Sequence, residues 1–140
     1  MFHKNYEQRL NSWSSLRQKL EVAADPFQEV IDFYKQAPYV SVHTDPWSQD
    51  MWPDPWELVY ENQYDEFCTV LGMCYSLQLT DRFKGSEFEI HICTLESLSY
   101  VYLLFVDDYV LGYDNNKVLL KKDLPMDLQS QTVYAMPKLN

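Results

Sequence analysis

Cys68, Cys74 and Cys93 are the chain's three thiols, and His3, His43 and His91 its three imidazoles. A cysteine attacks carbon only as the thiolate, which a helix N-terminus helps to stabilise. Cys68 stands near the start of DEFCTVLGMCYSLQL, where Phe67, Val70, Leu71, Cys74 and Leu77 or Tyr75 recur with a helical period. Of the three thiols, Cys68 is therefore the one placed for chemistry. Free cysteine on such a face is more often a small core hydrophobe, and Cys74 reads that way. His91 lies in SEFEIHICT, beside Glu89 and Cys93 and opposite Phe88, Ile90 and Ile92. A lone strand histidine in that position is ordinarily packed or partly exposed. His43 precedes Asp45 and Asp50, and together they could hold a metal, but caps and turns account for the carboxylates of that loop. Asp107-Asp108 reads as a hairpin turn, and Asp123 and Asp127 as the flanks of a turn at Pro125.

The elements that must position these groups change period midway. Tyr6, Leu10, Trp13, Leu16 and Leu20 form one apolar stripe of a first helix. Asp25-Pro26 starts a second, with Phe27, Val30, Ile31, Phe33, Tyr34 and Ala37 on neighbouring faces, ending before Pro38. A loop follows, with a short extended piece at YVSVH. In DPWSQDMWPDPWEL, Asp54 caps a short helix to about Glu61, Pro55 opens it and Glu57 completes a capping box. The tryptophans of this loop could stack on sugar rings or be buried against the helices. Gly72, inside the strongest helix, costs about 1 kcal/mol against Ala, which points to close packing by another backbone. After residue 86 the pattern alternates. SEFEIHICT, SYVYLLFV, YVLGYD, KVLLKK and QTVYAM read as strands, SYVYLLFV buried on both faces and QTVYAM at a sheet edge. Helices first and an antiparallel meander second predict an α+β fold, with N-terminal helices and a central helix packed on one face of a small antiparallel sheet. Residues 1–140 read as one domain, with 1–53 a helical, Trp-rich lead-in and 54–140 the α+β core.

Composition narrows the function. The net charge is −10, and aromatic residues make up 16% of the chain. Direct nucleic-acid binding needs clustered Lys and Arg, which are scattered here apart from Lys121-Lys122. The low, odd cysteine count argues against a disulfide scaffold, and the lack of Cys-x-x-Cys against zinc. No apolar run reaches the roughly 18 residues of a membrane span, and MFHKNYEQRL has no signal-peptide core. A reducing, cytosolic setting is expected, with no cofactor and no membrane partner.

Pro55 to Asp114 resembles the transglutaminase-like or papain-like cysteine hydrolase core. In that family a P-x-E-T-L type helix leads to a G-D-C-E-D turn, whose cysteine opens a central helix packed on an antiparallel sheet. A histidine begins the second core strand and an aspartate ends the third. PWEL at Pro55 to Leu58 matches the lead-in, and YDEF at Tyr64 to Phe67 falls at the nucleophile turn. SYVYLLFV takes the histidine strand and VLGYDNN the aspartate strand. The resemblance implies a transglutaminase-like core with Asp65 at the nucleophile position, Tyr100 at the histidine position and Asp114 retained. Cys68 falls three residues late, about one helical turn along. An aspartate without a base offers no acyl-transfer route, so a hydrolase fold that has lost its chemistry is implied.

The whole chain is also similar to small proteins of contractile-tailed phages of marine cyanobacteria, through DPFQEVIDFYKQAP, DPWSQDMWPDPWEL, LGMCYSLQLTDRF and FEIHI. That resemblance implies synthesis in the bacterial host cytoplasm and incorporation into the virion. The expected function is a non-enzymatic structural protein, an adaptor or decorating subunit of the tail, neck or baseplate. Its partners would be other phage structural proteins, with Tyr39, Trp47, Trp52 and Tyr60 as interface anchors. The alternative is an active cysteine amidase or peptidase, with Cys68 as nucleophile, His91 as base and Asp114 as orienting acid. A third expectation is a regulator that binds a host enzyme.

Overall fold

The computed structural model describes residues 1–41, 44–95 and 99–139. Local chemistry starts each helix. Helix α1 (Tyr6–Val22) begins at Asn5, whose side chain accepts from Gln8 N while the Gln8 side chain accepts from Asn5 N. Helix α2 (Pro26–Tyr34) opens with Pro26 after the cap Asp25, whose carboxylate accepts from Gln28 N. Helix α3 (Pro55–Glu61) has the expected box: Asp54 accepts from Glu57 N at 2.8 Å, and Glu57 accepts from Asp54 N at 3.1 Å. Asn62, left-handed at φ 53°, ends it. Helix α4 (Glu66–Gln78) is capped by Asp65. Helix α2 stops at Tyr34, short of Pro38, and the chain continues through tighter bonds from Gln36 N to Phe33 O and Ala37 N to Tyr34 O.

The second half forms a five-stranded antiparallel sheet: β1 (Phe88–Leu95), β2 (Ser99–Val106), β3 (Tyr109–Leu111), β4 (Leu119–Leu120) and β5 (Gln129–Ala135), in the order β4-β3-β2-β1-β5. Asp107, at φ 53°, makes the turn between β2 and β3. KVLLKK yields only a two-residue strand, because the chain turns into a 3-10 turn at Lys121–Asp123. Strand β5 lies at the edge beside β1, and its register with β1 shifts between Ile92 and Cys93.

The chain is a small α+β fold whose helices all lie on one side of the sheet. Phe88, Ile90, Leu104, Val106 and Leu111 meet Phe67, Val70, Leu71 and Leu77 of α4 in one core. The far side of α4 is covered by the apolar stripe of α1 and by α2, so α1 packs on its own chain: Trp13, Leu16 and Leu20 are buried in the same core. The opposite sheet face has a smaller cluster of Cys93, Leu103 and Val110, covered by Leu124 and Leu128. Strand β2 is buried on both faces only in its middle. Leu103 and Leu104 are fully buried on opposite sides, whereas Tyr100 is 49% exposed where the strand runs past the core.

Gly72 admits a ring and not a backbone. Tyr34 of α2 lies where a Cβ would stand. Below it, Ser76 Oγ donates to Gly72 O, accepts from Trp13 Nε1 and sits 3.1 Å from Tyr34 Oη. One hydroxyl thus ties α1, α2 and α4 together.

Candidate functional site

Asp65 organises the start of α4. Its Oδ1 accepts from Cys68 N at 2.7 Å, which caps the helix, and its Oδ2 accepts from Thr44 N at 2.9 Å, which fastens the Trp-rich loop to the cap. Cys68 is fully buried, and its thiol lies 3.2 Å from Thr44 Oγ1. Burial pushes its pKa up to about 12. The Thr44 hydrogen bond opposes this, and the Asp65 carboxylate adds to it. The helix N-terminus, which would favour a thiolate, is already occupied by the Asp65 carboxylate.

Cys68, His91 and Asp114 are not brought together. In the β1–β2 register His91 is the partner of Leu103, on the sheet face turned away from α4. Its ring stacks on Phe105 with centroids 3.8 Å apart, and its nitrogens meet Ser130 Oγ at 2.7 Å and Glu89 Oε1 at 3.1 Å. The sheet therefore separates the imidazole from the thiol, and the Cys68–His91 pairing is corrected on that ground. The physical reason is the two-residue period of a strand: Ile90 and Ile92 face α4, so His91 must not. Asp114 follows β3 and uses Oδ1 to accept from Asn116 N at 2.8 Å, closing a turn.

The positions that the hydrolase resemblance assigns fare differently. Asp65 is 5% exposed, while Tyr100 and Asp114 line a cleft of about 430 Å³ beside the first turns of α4. Tyr34, Tyr39, Tyr102 and Tyr113 line it too, with Glu66 at one lip and Val70 and Met73 within. Gly112, at φ 103°, keeps this cleft's strands close, since a Cβ there would lie 2.7 Å from Tyr102 O. The Tyr102 phenol is held above its usual pKa, first by burial and then by the charges of Glu66, Asp65, Tyr100 and Asp45.

The four aromatic anchor candidates divide. Trp52 folds onto the core: its ring lies 4.9 Å from Phe67 and 4.8 Å from Tyr134, and its Nε1 donates to Asp45 O. Trp52 therefore helps hold the loop over α4. Trp47, 45% exposed, stands edge-on to Tyr100 at 5.4 Å and is held by an Asp45 turn. Tyr39 is 72% exposed, and Tyr60, 65% exposed, meets Tyr6 edge-to-face with centroids 5.1 Å apart. Trp56, half-exposed, packs edge-on to Trp13 with Arg17 over both rings. His43 lies outside the described residues. Among the described residues no group of three or more His, Cys, Asp or Glu is placed to hold a metal, and no helix is long and apolar enough to cross a membrane.

Sequence reading missed Thr44 as the partner of both Asp65 and Cys68, and Glu66, Tyr102 and Tyr113 as cleft residues. Thr44 gave no signal, because its contacts depend on the path of a long loop. Comparison with protein-family models, curated proteins and solved structures finds no match to this chain.

Proposed function

We propose that the protein is a non-enzymatic docking subunit of a phage particle, an adaptor or decorating subunit of the tail, neck or baseplate. One contrast supports the reading. The thiol nearest to a hydrolase nucleophile is sealed under Thr44, while Tyr39 and Tyr100 stand exposed at an open cleft, with the half-exposed Trp47 edge-on to Tyr100. Aromatic side chains left in water on loops and strand ends are the groups that give most energy when a partner covers them. The net charge of −10 favours basic neighbours and keeps the free subunit soluble before assembly.

The hydrolase-like order of elements belongs to the same proposal. The start of α4 and the ends of β2 and β3 would be an ancestral catalytic cleft, now with Asp65 as a cap and Tyr100 as a rim residue. The phage partner class comes from the sequence resemblance. Quantitative mass spectrometry of purified particles tests it: the chain should be present at a fixed stoichiometry to the other virion proteins and resist salt washing. Its absence from particles would overturn the reading.

A further inference from the structure

Five of the chain's 11 tyrosines, Tyr34, Tyr39, Tyr100, Tyr102 and Tyr113, contribute to the lining of the 430 Å³ cleft between α2, α4 and the β2–β3 pair. Tyr39 and Tyr100 are the exposed ones, whereas Tyr34 is buried over Gly72 and Tyr113 also packs on the cluster of the opposite sheet face. Two carboxylates, Glu66 and Asp114, stand among them. Lys35 also lines the cleft, but its Nζ is bound at 2.8 Å to Asn116 Oδ1 and lies 3.8 Å from Asp32. The raised phenol of Tyr102 reports burial first and then negative charge from Glu66, Asp65 and Asp45. Tyrosine rings and carboxylates in one partly desolvated cleft favour a cation, and the chain's own net charge of −10 adds to the attraction.

We propose that this cleft receives an arginine side chain of a partner protein. A guanidinium is planar, stays charged, stacks on aromatic rings and forks to carboxylates, whereas an ammonium is more strongly hydrated and cannot stack. The proposal deepens the docking reading and rests on it, naming the chemistry of the partner at one site.

The test uses the full chain in an NMR titration with two capped tripeptides, Gly-Arg-Gly and Gly-citrulline-Gly, which differ in charge but hardly in shape. The arginine peptide should shift the amides of Thr69, Tyr100, Tyr102 and Gly112 with millimolar affinity, and the citrulline peptide should not. Raising salt from about 20 to about 500 mM should weaken binding severalfold. The double variant Glu66→Gln with Asp114→Asn should weaken it about tenfold, while Glu7→Gln, outside the cleft, should leave it unchanged; the spectra themselves report that each variant is folded. Equal binding of the citrulline peptide, shifts at other residues, no binding up to about 10 mM peptide, or undiminished binding by the double variant would overturn the proposal. Failure here with the chain present in particles would remove only the arginine site. Binding here with the chain absent from particles would remove the virion reading instead.

Discussion

A Cβ placed on Gly72 would lie 2.5 Å from Cε1 of Tyr34, so the α2 ring occupies the space that any other α4 residue would fill. The ring is fixed in turn: Tyr34 is buried and its hydroxyl meets Ser76. Alanine at position 72 would recover about 1 kcal/mol of helix propensity and lose more to overlap. Gly72→Ala should therefore destabilise the protein by about 1–3 kcal/mol in urea unfolding. In a Tyr34→Ala background the same change should become neutral or stabilising, and a destabilisation of equal size in both backgrounds would refute the ring as its cause.

Ser76 should matter more than its size suggests. Ser76→Ala leaves the buried indole N–H of Trp13 and the Tyr34 hydroxyl without their shared partner. The expected loss is about 1–3 kcal/mol, read as a lower melting temperature. Ser76→Gly would confound the measurement with helix propensity, so alanine is the informative change.

Asp65 carries two separable roles. Asp65→Ala should cost about 2 kcal/mol by removing the α4 cap and the tie to Thr44. Asp65→Ser keeps a cap for Cys68 N but is too short to reach Thr44 N as well. It should recover part of the stability while hydrogen exchange in the loop ahead of α3 stays accelerated. Full recovery of both would show that the Thr44 bond contributes nothing.

Cys68 should be inert toward thiol reagents. It is fully buried, and Cys74 and Cys93 are buried as well. A chromogenic disulfide reagent at pH 7 should release no stoichiometric burst from the native chain and three equivalents after denaturation. A single fast-reacting thiol traced to Cys68 would revive the hydrolase alternative.

Alkaline pH should unfold the protein early. Burial raises the thiol of Cys68 to about 12, and also raises Cys74, Tyr34, Tyr64 and Tyr75. An acid whose folded pKa lies above its unfolded value loses its proton more readily when unfolded, so its stabilising contribution is complete below the unfolded value. For Cys68 that contribution falls away as pH climbs from about 8.5–9 toward 12, by about 1.4 kcal/mol per pH unit. Circular dichroism across that window should show a cooperative loss of structure, and Cys68→Ser should flatten its onset. A flat profile to pH 12 would contradict the burial argument.

Much of the fold was legible from residue types alone. The caps at Asp25 and Asp54 and the turn at Asp107-Asp108 are local events, decided within four or five residues, and sequence specifies such events directly. The Asp65 cap is equally local, but the hydrolase resemblance marks that residue only as a nucleophile position. The apolar stripe of α1 and the alternation of β1 were equally clear. That alternation already set His91 opposite Ile90 and Ile92; pairing it with Cys68 ignored the strand's own period. The short β4 was harder, because KVLLKK has the strand pattern while its length depends on where the chain turns away from β3.

By itself, then, the sequence determined the order of helices and strands, the capped starts of α2 and α3, and the face that α1, α2 and β1 bury. Those features follow from propensity, capping and periodicity, which act over a few neighbouring residues. The tertiary structure decided the rest: that Tyr34 fills the space above Gly72, that Thr44 closes over Cys68, that Trp52 folds inward while Trp47 stays half exposed, and that five tyrosines separated by up to 79 positions line one cleft. Each of these depends on contacts between residues far apart in the chain. No local preference encodes such contacts; they arise only when a core common to all the elements fixes how helices and sheet lie on one another.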